Sequence, residues 1–373
     1  MPSFQVKESI YSVGSVDWNV RVFHGYQTPY GATYNAYLVL DDQITLIDSV
    51  KAPFTEELIR HIEEIVPLEK IDNLIVNHIE PDHSGALPEL VRRLPSAKVY
   101  GTAAAKKGLD AHYGDMGMDY VAVKAGDTLK TGKYTFHFLP MPMVHWPDSM
   151  STYLEEEQIL FSNDALGQHI ASDERFDDQL GLDRLLERAG DYYANIVLPF
   201  GVQVQKLLEQ VTALPLKLVC PSHGVMLRTY IGEMAAKYSA WARNESDEMK
   251  AVVIYDTMWG ATRKMAETIA ERWQSEGKAV ELIDLSQRHV SYAMARLLEA
   301  KYIAVGSSTL NRNVMPNTAA FLTYMKGLSP KNRVGLAFGA YGWSGESIPQ
   351  IDHVFEEMGW QRLPMEKAQW KPQ

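Results

Sequence analysis

The sequence predicts two architectures in series: an α+β sandwich of αββα type, followed by an α/β doubly wound parallel sheet. Three observations predict it. In the first two thirds, short β-rich runs such as TYNAYLVL, QITLIDSV, KVYGT and YTFHFLPM alternate with helical stretches, as two helix-covered sheets require. From Lys250 onward, apolar strands and amphipathic helices alternate regularly, which is the pattern of a parallel sheet covered on both faces. Between them the segment RNESDEM is polar and has no apolar periodicity to bury. A chain of 373 residues with 46% hydrophobic content suffices for two cores. The division is expected near Asn244, between a helix over Val225 to Arg243 and a strand starting at Lys250, giving modules over 1–245 and 250–373.

In the first module, the apolar run IDNLIV leads into IVNHIEPDHSG, which places His78, Glu80, Asp82 and His83 within six residues. A loop leaving a strand points alternate side chains into one cavity, while the adjacent Asp-His pair turns toward a second one. This is the pattern of a two-metal site. His145 in PMVHWPDS, Asp164 in LFSNDALG and His223 in PSHGVM complete seven candidate donors. The single cysteine, Cys220, is outside this set.

The second module opens KAVVIYDTMWGATRKMAETIAERW: a buried strand, a short polar loop and an amphipathic helix. Thr257, Gly260, Ala261 and Thr262 offer backbone N–H groups and hydroxyls at the helix start, where an anion is stabilised without a basic side chain. Met265, Ile269 and Trp273 recur every four residues and are expected to face the sheet. Two later loops also follow apolar strands, one around Ser307 to Asn313 and one around Gly339 to Gly345. Ligands of open parallel sheets bind outside the carboxyl ends of the strands, so the three loops are expected to converge on one molecule. Tyr341 and Trp343 supply flat surfaces for a flavin ring, and Thr257, Thr262 and Thr309 suit its phosphate or ribityl chain.

The run H-x-E-x-D-H resembles the H-x-H-x-D-H of the metallo-β-lactamase superfamily, with a carboxylate where the zinc hydrolases carry their second His. An anionic oxygen there makes the site harder and more negative, which suits iron or manganese in a redox cycle better than hydrolytic zinc. The pairing and order of HIEPDHSG, HWPDSM, LFSNDALGQH, PSHG, YDTMWGAT, GSSTLN and FGAYGWSGE resemble the flavodiiron proteins, or A-type flavoproteins, along essentially the whole chain. The resemblance implies a metallo-β-lactamase-like sandwich followed by a flavodoxin-like sheet. It implies two irons, one held by His78, Glu80 and His145 and the other by Asp82, His83 and His223, with Asp164 bridging. It implies FMN, gripped by Thr257, Met258, Trp259, Gly260, Ala261 and Thr262, by Ser307, Ser308, Thr309, Leu310 and Asn311, and by Gly339, Ala340, Tyr341, Gly342, Trp343, Ser344 and Gly345. His24 and Tyr193 resemble family positions that hydrogen-bond a bound gas, and His169 is read as either such a position or a structural histidine. Arg312 departs from the small or amide residues that relatives carry there.

The implied activity is reduction of O2 to water, of NO to N2O, or both. Subunits are expected to pair head to tail, as dimers or as tetramers built from them, with each flavin facing its neighbour's irons. Electrons are expected from outside, from a small redox protein, because the chain has neither a G-x-G-x-x-G dinucleotide fingerprint nor rubredoxin cysteines; the resemblance implies rubredoxin as that donor, or a deazaflavin cofactor as in some members. The rival reading is a zinc hydrolase of the metallo-β-lactamase superfamily fused to a flavodoxin-like domain. The sequence ends at EKAQWKPQ, directly after the expected last strand, so the second module is expected to lack its closing helix, either absent or cut from a longer chain.

A net charge of −11 argues against nucleic acid or an anionic membrane as the main partner. One cysteine excludes an intramolecular disulfide and a four-cysteine iron centre, and together with the lack of an apolar leader it points to the cytoplasm. No run of about 18 apolar residues is present to span a bilayer.

Overall fold

A computed structural model describes residues 3–370. The chain forms two compact units, which interleave in sequence. The first comprises residues up to 23, 28–189 and 202–239; the second comprises 24–27, 190–201 and 240 onward. The linear division expected between 245 and 250 does not include the two short excursions. The second of these belongs to the later unit because its own groups pair there: Asn195 donates to the Ser291 carbonyl at 3.2 Å and accepts from the Tyr324 hydroxyl at 2.9 Å.

The first unit contains a seven-stranded sheet, ordered Phe4–Lys7, Ile10–Ser12, Tyr37–Val39, Ile44–Ile47, Ile71–Ile75, Lys98–Thr102 and Asp119–Val123. Pairing is antiparallel up to Ile44–Ile47 and parallel beyond it. A five-stranded sheet follows, ordered Thr128–Lys130, Thr135–Pro140, Met150–Leu154, Ile159–Asn163 and Leu218–Pro221. Successive side chains of a strand point to opposite faces, and the two cores divide accordingly. Leu38, Leu46 and Leu74 pack under helices, against Leu58, Ile59, Ile62, Leu87 and Leu90. Tyr37, Val39, Ile47 and Ile75 pack instead against Phe136, Phe138, Met150 and Phe161 of the other sheet. Full burial of each such Leu or Phe contributes about 1.5–3 kcal/mol, so a one-residue slip in register is strongly disfavoured.

The helix Thr55–Glu63 illustrates the local logic. Leu58, Ile59 and Ile62 share one buried face, while Glu56 and Glu57 sit in the first turn and Arg60 in the last, each favourable to the helix dipole. The helix expected to begin at Val225 begins at Ile231 instead. Residues before it are claimed by other partners: Met226 and Leu227 form β-bridges, and the buried Asp177 carboxylate accepts the N–H groups of Arg228, Thr229 and Tyr230.

In the second unit, the strands run Ala279–Asp284, Asp247–Asp256, Ala300–Ser307 and Val334–Tyr341, and both Gln361–Arg362 and Glu366–Gln369 pair with the last of these. Every pair is parallel, and the order second, first, third, fourth, fifth is that of a doubly wound sheet with its switch point beside the first strand. Both faces are covered, so Val252, Val253 and Ile254 are all buried in succession. The first strand starts at Asp247, three residues before the expected Lys250. Helix Ala261–Ser275 turns Met265, Ile269 and Trp273 onto the sheet as the four-residue spacing predicts. Among the described residues, no helix is long and apolar enough to cross a membrane.

Candidate functional site

The seven candidate donors all fall in the first unit, at ends of elements. The strand Ile71–Ile75 releases the chain into His78 and Glu80, and the one-turn helix Pro81–Ser84 carries Asp82 and His83. His145 lies between the strands Thr135–Pro140 and Met150–Leu154, Asp164 directly follows Ile159–Asn163, and His223 follows Leu218–Pro221. They assemble into two buried groups, His78, Glu80, His145 and Asp164 in one and Asp82, His83 and His223 in the other, with the donor atoms of each group within 4.8 Å of one another.

Asp164 joins the groups. Its Oδ2 lies 3.3 Å from His145 Nε2 and 3.7 Å from His78 Nε2, while its Oδ1 lies 3.0 Å from His83 Nε2 and 3.4 Å from His223 Nε2. Glu80 Oε2 faces His78 and His145 at 3.4 and 3.3 Å, and Asp82 Oδ2 faces His83 and His223 at 3.3 and 3.2 Å. Among the described residues no hydrogen bond satisfies His78 Nε2, His83 Nε2 or either oxygen of Asp82 and Asp164, although all are buried. Unsatisfied buried groups of this kind are costly unless something binds them, and imidazole nitrogens and carboxylates aimed at common points are what a cation requires.

The carboxylates of the cluster raise the basicity of its imidazoles. Burial pulls the His78 imidazole down, but its hydrogen bond to Asp148 and the facing Glu80 and Asp164 carboxylates outweigh that and push it up to about 10. His83 rises to about 9 in the same way, against burial, through Asp82 and Asp164. His145 rises to about 9 through Asp164 and Glu80. Burial pushes Asp164 up, yet the surrounding imidazoles, His83 foremost, hold it well below the usual carboxylate range.

Residues that the sequence did not single out aim these donors. Asp148 accepts the His78 Nδ1–H and the Ile79 N–H on one oxygen, each at 2.9 Å. The Thr33 carbonyl takes the Nδ1–H of His223 at 2.6 Å, and the Thr33 hydroxyl accepts the N–H of Gly224 at 2.7 Å. Gly224 has φ +79°, and a Cβ there falls 2.0 Å from Gln168 Oε1, so the turn after His223 needs glycine. His169 packs edge-on against His223, with ring centroids 4.4 Å apart. His24 and Tyr193 fall in the second unit, His24 on an exposed turn at φ +55° and Tyr193 buried at the start of the π-helical turn Tyr193–Val197, packed on Trp241.

In the second unit the three expected loops line one cavity of about 430 Å³. It takes Met258, Trp259 and Ala261 from the first loop, Ser308, Thr309, Leu310 and Asn311 from the second, and Ala340, Tyr341, Gly342, Trp343 and Ser344 from the third. Thr257, Gly260, Thr262, Ser307, Gly339 and Gly345 stand behind that lining and shape it. The Thr257 hydroxyl accepts the Gly260 N–H at 3.1 Å, and the Thr262 and Ser308 hydroxyls bond at 2.9 Å. Ser307 donates to the Ser308 carbonyl at 2.8 Å, and a Cβ on Gly345 meets the Tyr341 ring at 2.9 Å. A Cβ on Gly339 falls 2.1 Å from the Ser307 carbonyl, so the second and third loops approach this closely only because glycine stands there.

Two further residues line the cavity. Arg312 follows Asn311 in a turn where both have positive φ and Leu310 and Asn313 exchange two 2.9 Å backbone bonds, the geometry of a type I′ turn. Trp370 reaches the cavity because its N–H donates to the Tyr341 carbonyl at 2.7 Å, a position no motif marks. Trp259 and Trp343 are 93% and 86% exposed, which leaves their faces available to a planar ligand, while the start of helix Ala261–Ser275, whose N-cap Gly260 supplies no side-chain cap, suits a phosphate.

Residues 32–224 match the family described as ODP family beta lactamase, and residues 253–373 match the flavodoxin family. A nitric oxide reductase of Moorella thermoacetica is 43% identical over 91% of this chain and 86% of its own length. The structure of rubredoxin oxygen:oxidoreductase from the anaerobe Desulfovibrio gigas superposes with a TM-score of 0.97 at 38% identity, covering 100% of this chain and 94% of that one. The crystal structure of the flavodiiron protein from Giardia intestinalis gives 0.95 at 33% identity, covering 100% and 92%.

Proposed function

The chain belongs to the flavodiiron proteins, and from that premise we propose that it is an oxidoreductase reducing O2 to water, NO to N2O, or both, at two irons fed by FMN. The observation that carries this reading is Asp164, whose two oxygens face two separate groups of buried imidazoles and carboxylates, with His78 Nε2 near one oxygen and His83 Nε2 near the other, neither hydrogen-bonded among the described residues. In this reading His78, Glu80 and His145 hold one iron, Asp82, His83 and His223 the other, and Asp164 bridges. Two ferrous ions and reduced FMN supply together the four electrons that O2 takes up with four protons to give two waters, whereas two NO take up two electrons and two protons to give N2O and water.

The protein's own contribution is placement. Glu80 puts an anionic oxygen where zinc hydrolases of this fold carry an imidazole, favouring a harder, redox-active cation. Asp148 and the Thr33 carbonyl fix the tautomers of His78 and His223, leaving Nε2 of each as the donor. The loops around Thr257, Thr309 and Tyr341 hold FMN, with its phosphate at the start of helix Ala261–Ser275 and its ring against Tyr341 and Trp343.

Electrons come from a rubredoxin or a similar small redox protein, in keeping with the name of the Desulfovibrio relative. Subunits pair head to tail so that each flavin serves its neighbour's irons, in dimers or in tetramers of them. The cytoplasm is the expected compartment, since the one cysteine, Cys220, is buried and unpaired.

The test is direct. Purified protein is assayed for iron, zinc and flavin, reduced anaerobically, and given O2 or NO at an electrode, with its mass in solution measured alongside. Two irons, one FMN and gas consumption support the reading. Two zincs with esterase turnover and no gas consumption overturn it in favour of a zinc hydrolase, and a fully active monomer overturns the head-to-tail pairing.

A further inference from the structure

The two donor groups are matched side chain for side chain. Each has two imidazoles, one terminal carboxylate and one oxygen of Asp164. What differs is the layer behind them. His78 donates its Nδ1–H at 2.9 Å to a carboxylate, Asp148, which is 3% exposed and also takes the Ile79 N–H, while the Thr102 hydroxyl bonds its backbone carbonyl at 3.0 Å. In the other group His223 donates to a neutral carbonyl, that of Thr33, and His83 Nδ1 has no hydrogen-bond partner among the described residues.

A second buried carboxylate, Asp48, interacts electrostatically with His83, but its oxygens accept from the amides of Asn77 and Asn163 and not from an imidazole. On the His223 side there is also a cation: Lys51 Nζ lies 5.8 Å from the ring centroids of Phe23 and Tyr34, which both pack edge-on against His223.

We propose that Asp148 is a positioning residue that lowers the reduction potential of the His78, Glu80 and His145 iron below that of its neighbour, so that this iron is the second of the pair to be reduced. An imidazole whose Nδ1–H is bonded to a carboxylate is a more basic donor at Nε2, and a more basic donor favours the ferric over the ferrous ion. Each iron gains one electron from the donor chain, no covalent bond is made or broken at Asp148, and the proton stays on His78 Nδ1. The order follows from charge: the iron backed by a carbonyl is reduced first, and the iron backed by Asp148 second. This rests on the diiron reading above.

The test uses the full-length protein carrying iron and FMN, wild type and Asp148→Asn. Asparagine retains one oxygen able to accept from both His78 and Ile79 and removes only the charge. Iron content is measured first, and a wild type without two irons overturns the diiron reading itself. The iron pair is then titrated with reductant and its half-reduced form followed by electron paramagnetic resonance. Wild type is expected to show two separated steps with the half-reduced form accumulating. In Asp148→Asn, with two irons retained, the later step moves toward the earlier one and less of the half-reduced form accumulates. Unchanged separation in the variant overturns the proposal, as does loss of iron from a folded variant, which assigns Asp148 to metal retention. Should Asp148→Asn not fold, Asp148→Glu and Asp148→Ser take its place: wild-type separation with the charge retained and narrowed separation with it lost support the proposal, and equal separation in both overturns it.

Discussion

Asp48 receives both the backbone N–H and the side-chain amide of Asn77, at 2.7 and 3.0 Å, from a backbone held at φ +55°. Asn163 also donates to Asp48, at 3.4 Å, and to the Ser222 hydroxyl at 2.9 Å. Asn77, Asn163 and Ser222 each immediately precede a donor: His78, Asp164 and His223. One buried carboxylate therefore ties together three loops that come from three strands. Replacing it with alanine strands the Asn77 donors in the interior, where each lost partner costs about 1–3 kcal/mol. Asp48→Ala is expected to lower stability by about 3 kcal/mol and to lower iron content, as read by denaturant unfolding and metal analysis; unchanged iron would show that the loops hold themselves.

Replacing Glu80 tests which metal the site prefers. Glu80→His removes the anionic oxygen that faces His78 and His145, and the softer, less negative group should retain more zinc and lose iron-dependent gas consumption. Undiminished O2 or NO turnover would remove Glu80 from the donor set.

Loading the metal-free protein should release protons. His78, His83 and His145, raised to about 10, 9 and 9, carry protons at pH 7.5 without a cation and must shed them to coordinate. A weakly buffered sample titrated with anaerobic ferrous salt should acidify, and the release should shrink above pH 10. The sign for stability follows. These folded-state values lie above the ordinary 6.5, so their contribution to the metal-free fold is complete below about 6.5 and is lost as pH rises through about 9 to 10. Metal-free protein should therefore lose unfolding free energy over that alkaline window, a trend the iron-loaded form should lack.

The cavity proposed to hold FMN depends on a glycine. In Gly339→Ala the new methyl group meets the Ser307 carbonyl at 2.1 Å, which forces the second and third loops apart at a cost of about 1–3 kcal/mol. FMN content, read from absorbance after gel filtration, should fall while iron content in the first unit is unchanged. Full FMN occupancy would mean the loops have slack that the geometry does not suggest.

Much of this was legible in the sequence, for a physical reason. His78, Glu80, Asp82 and His83 sit in one short segment, so local geometry alone groups them, and the strands before Asp164 and His223 mark where the chain must turn. Met265, Ile269 and Trp273 declare their buried face by spacing alone. Asp148 and Asp48 were not legible: their partners lie 70 and 29 positions away, and nothing in a linear reading distinguishes an aspartate that backs a histidine from a solvated one. Trp370 joins the lining of the second unit's cavity through a backbone bond that only strand pairing creates. The helix expected from Val225 failed because apolar spacing is blind to Asp177, whose carboxylate fixes where the helix begins.

The interleaving of the two units also constrains how the protein is made. The chain changes unit after residues 23, 27, 189, 201 and 239. The ribosome thus delivers residues 190–201, with Tyr193, Ala194 and Leu198 destined for burial, before any strand of the later unit's parallel sheet has been synthesised. For that interval of translation the nascent polypeptide carries an oily stretch with nowhere to go. The vulnerable moment in this protein's biogenesis falls there, just where a chaperone has most to protect.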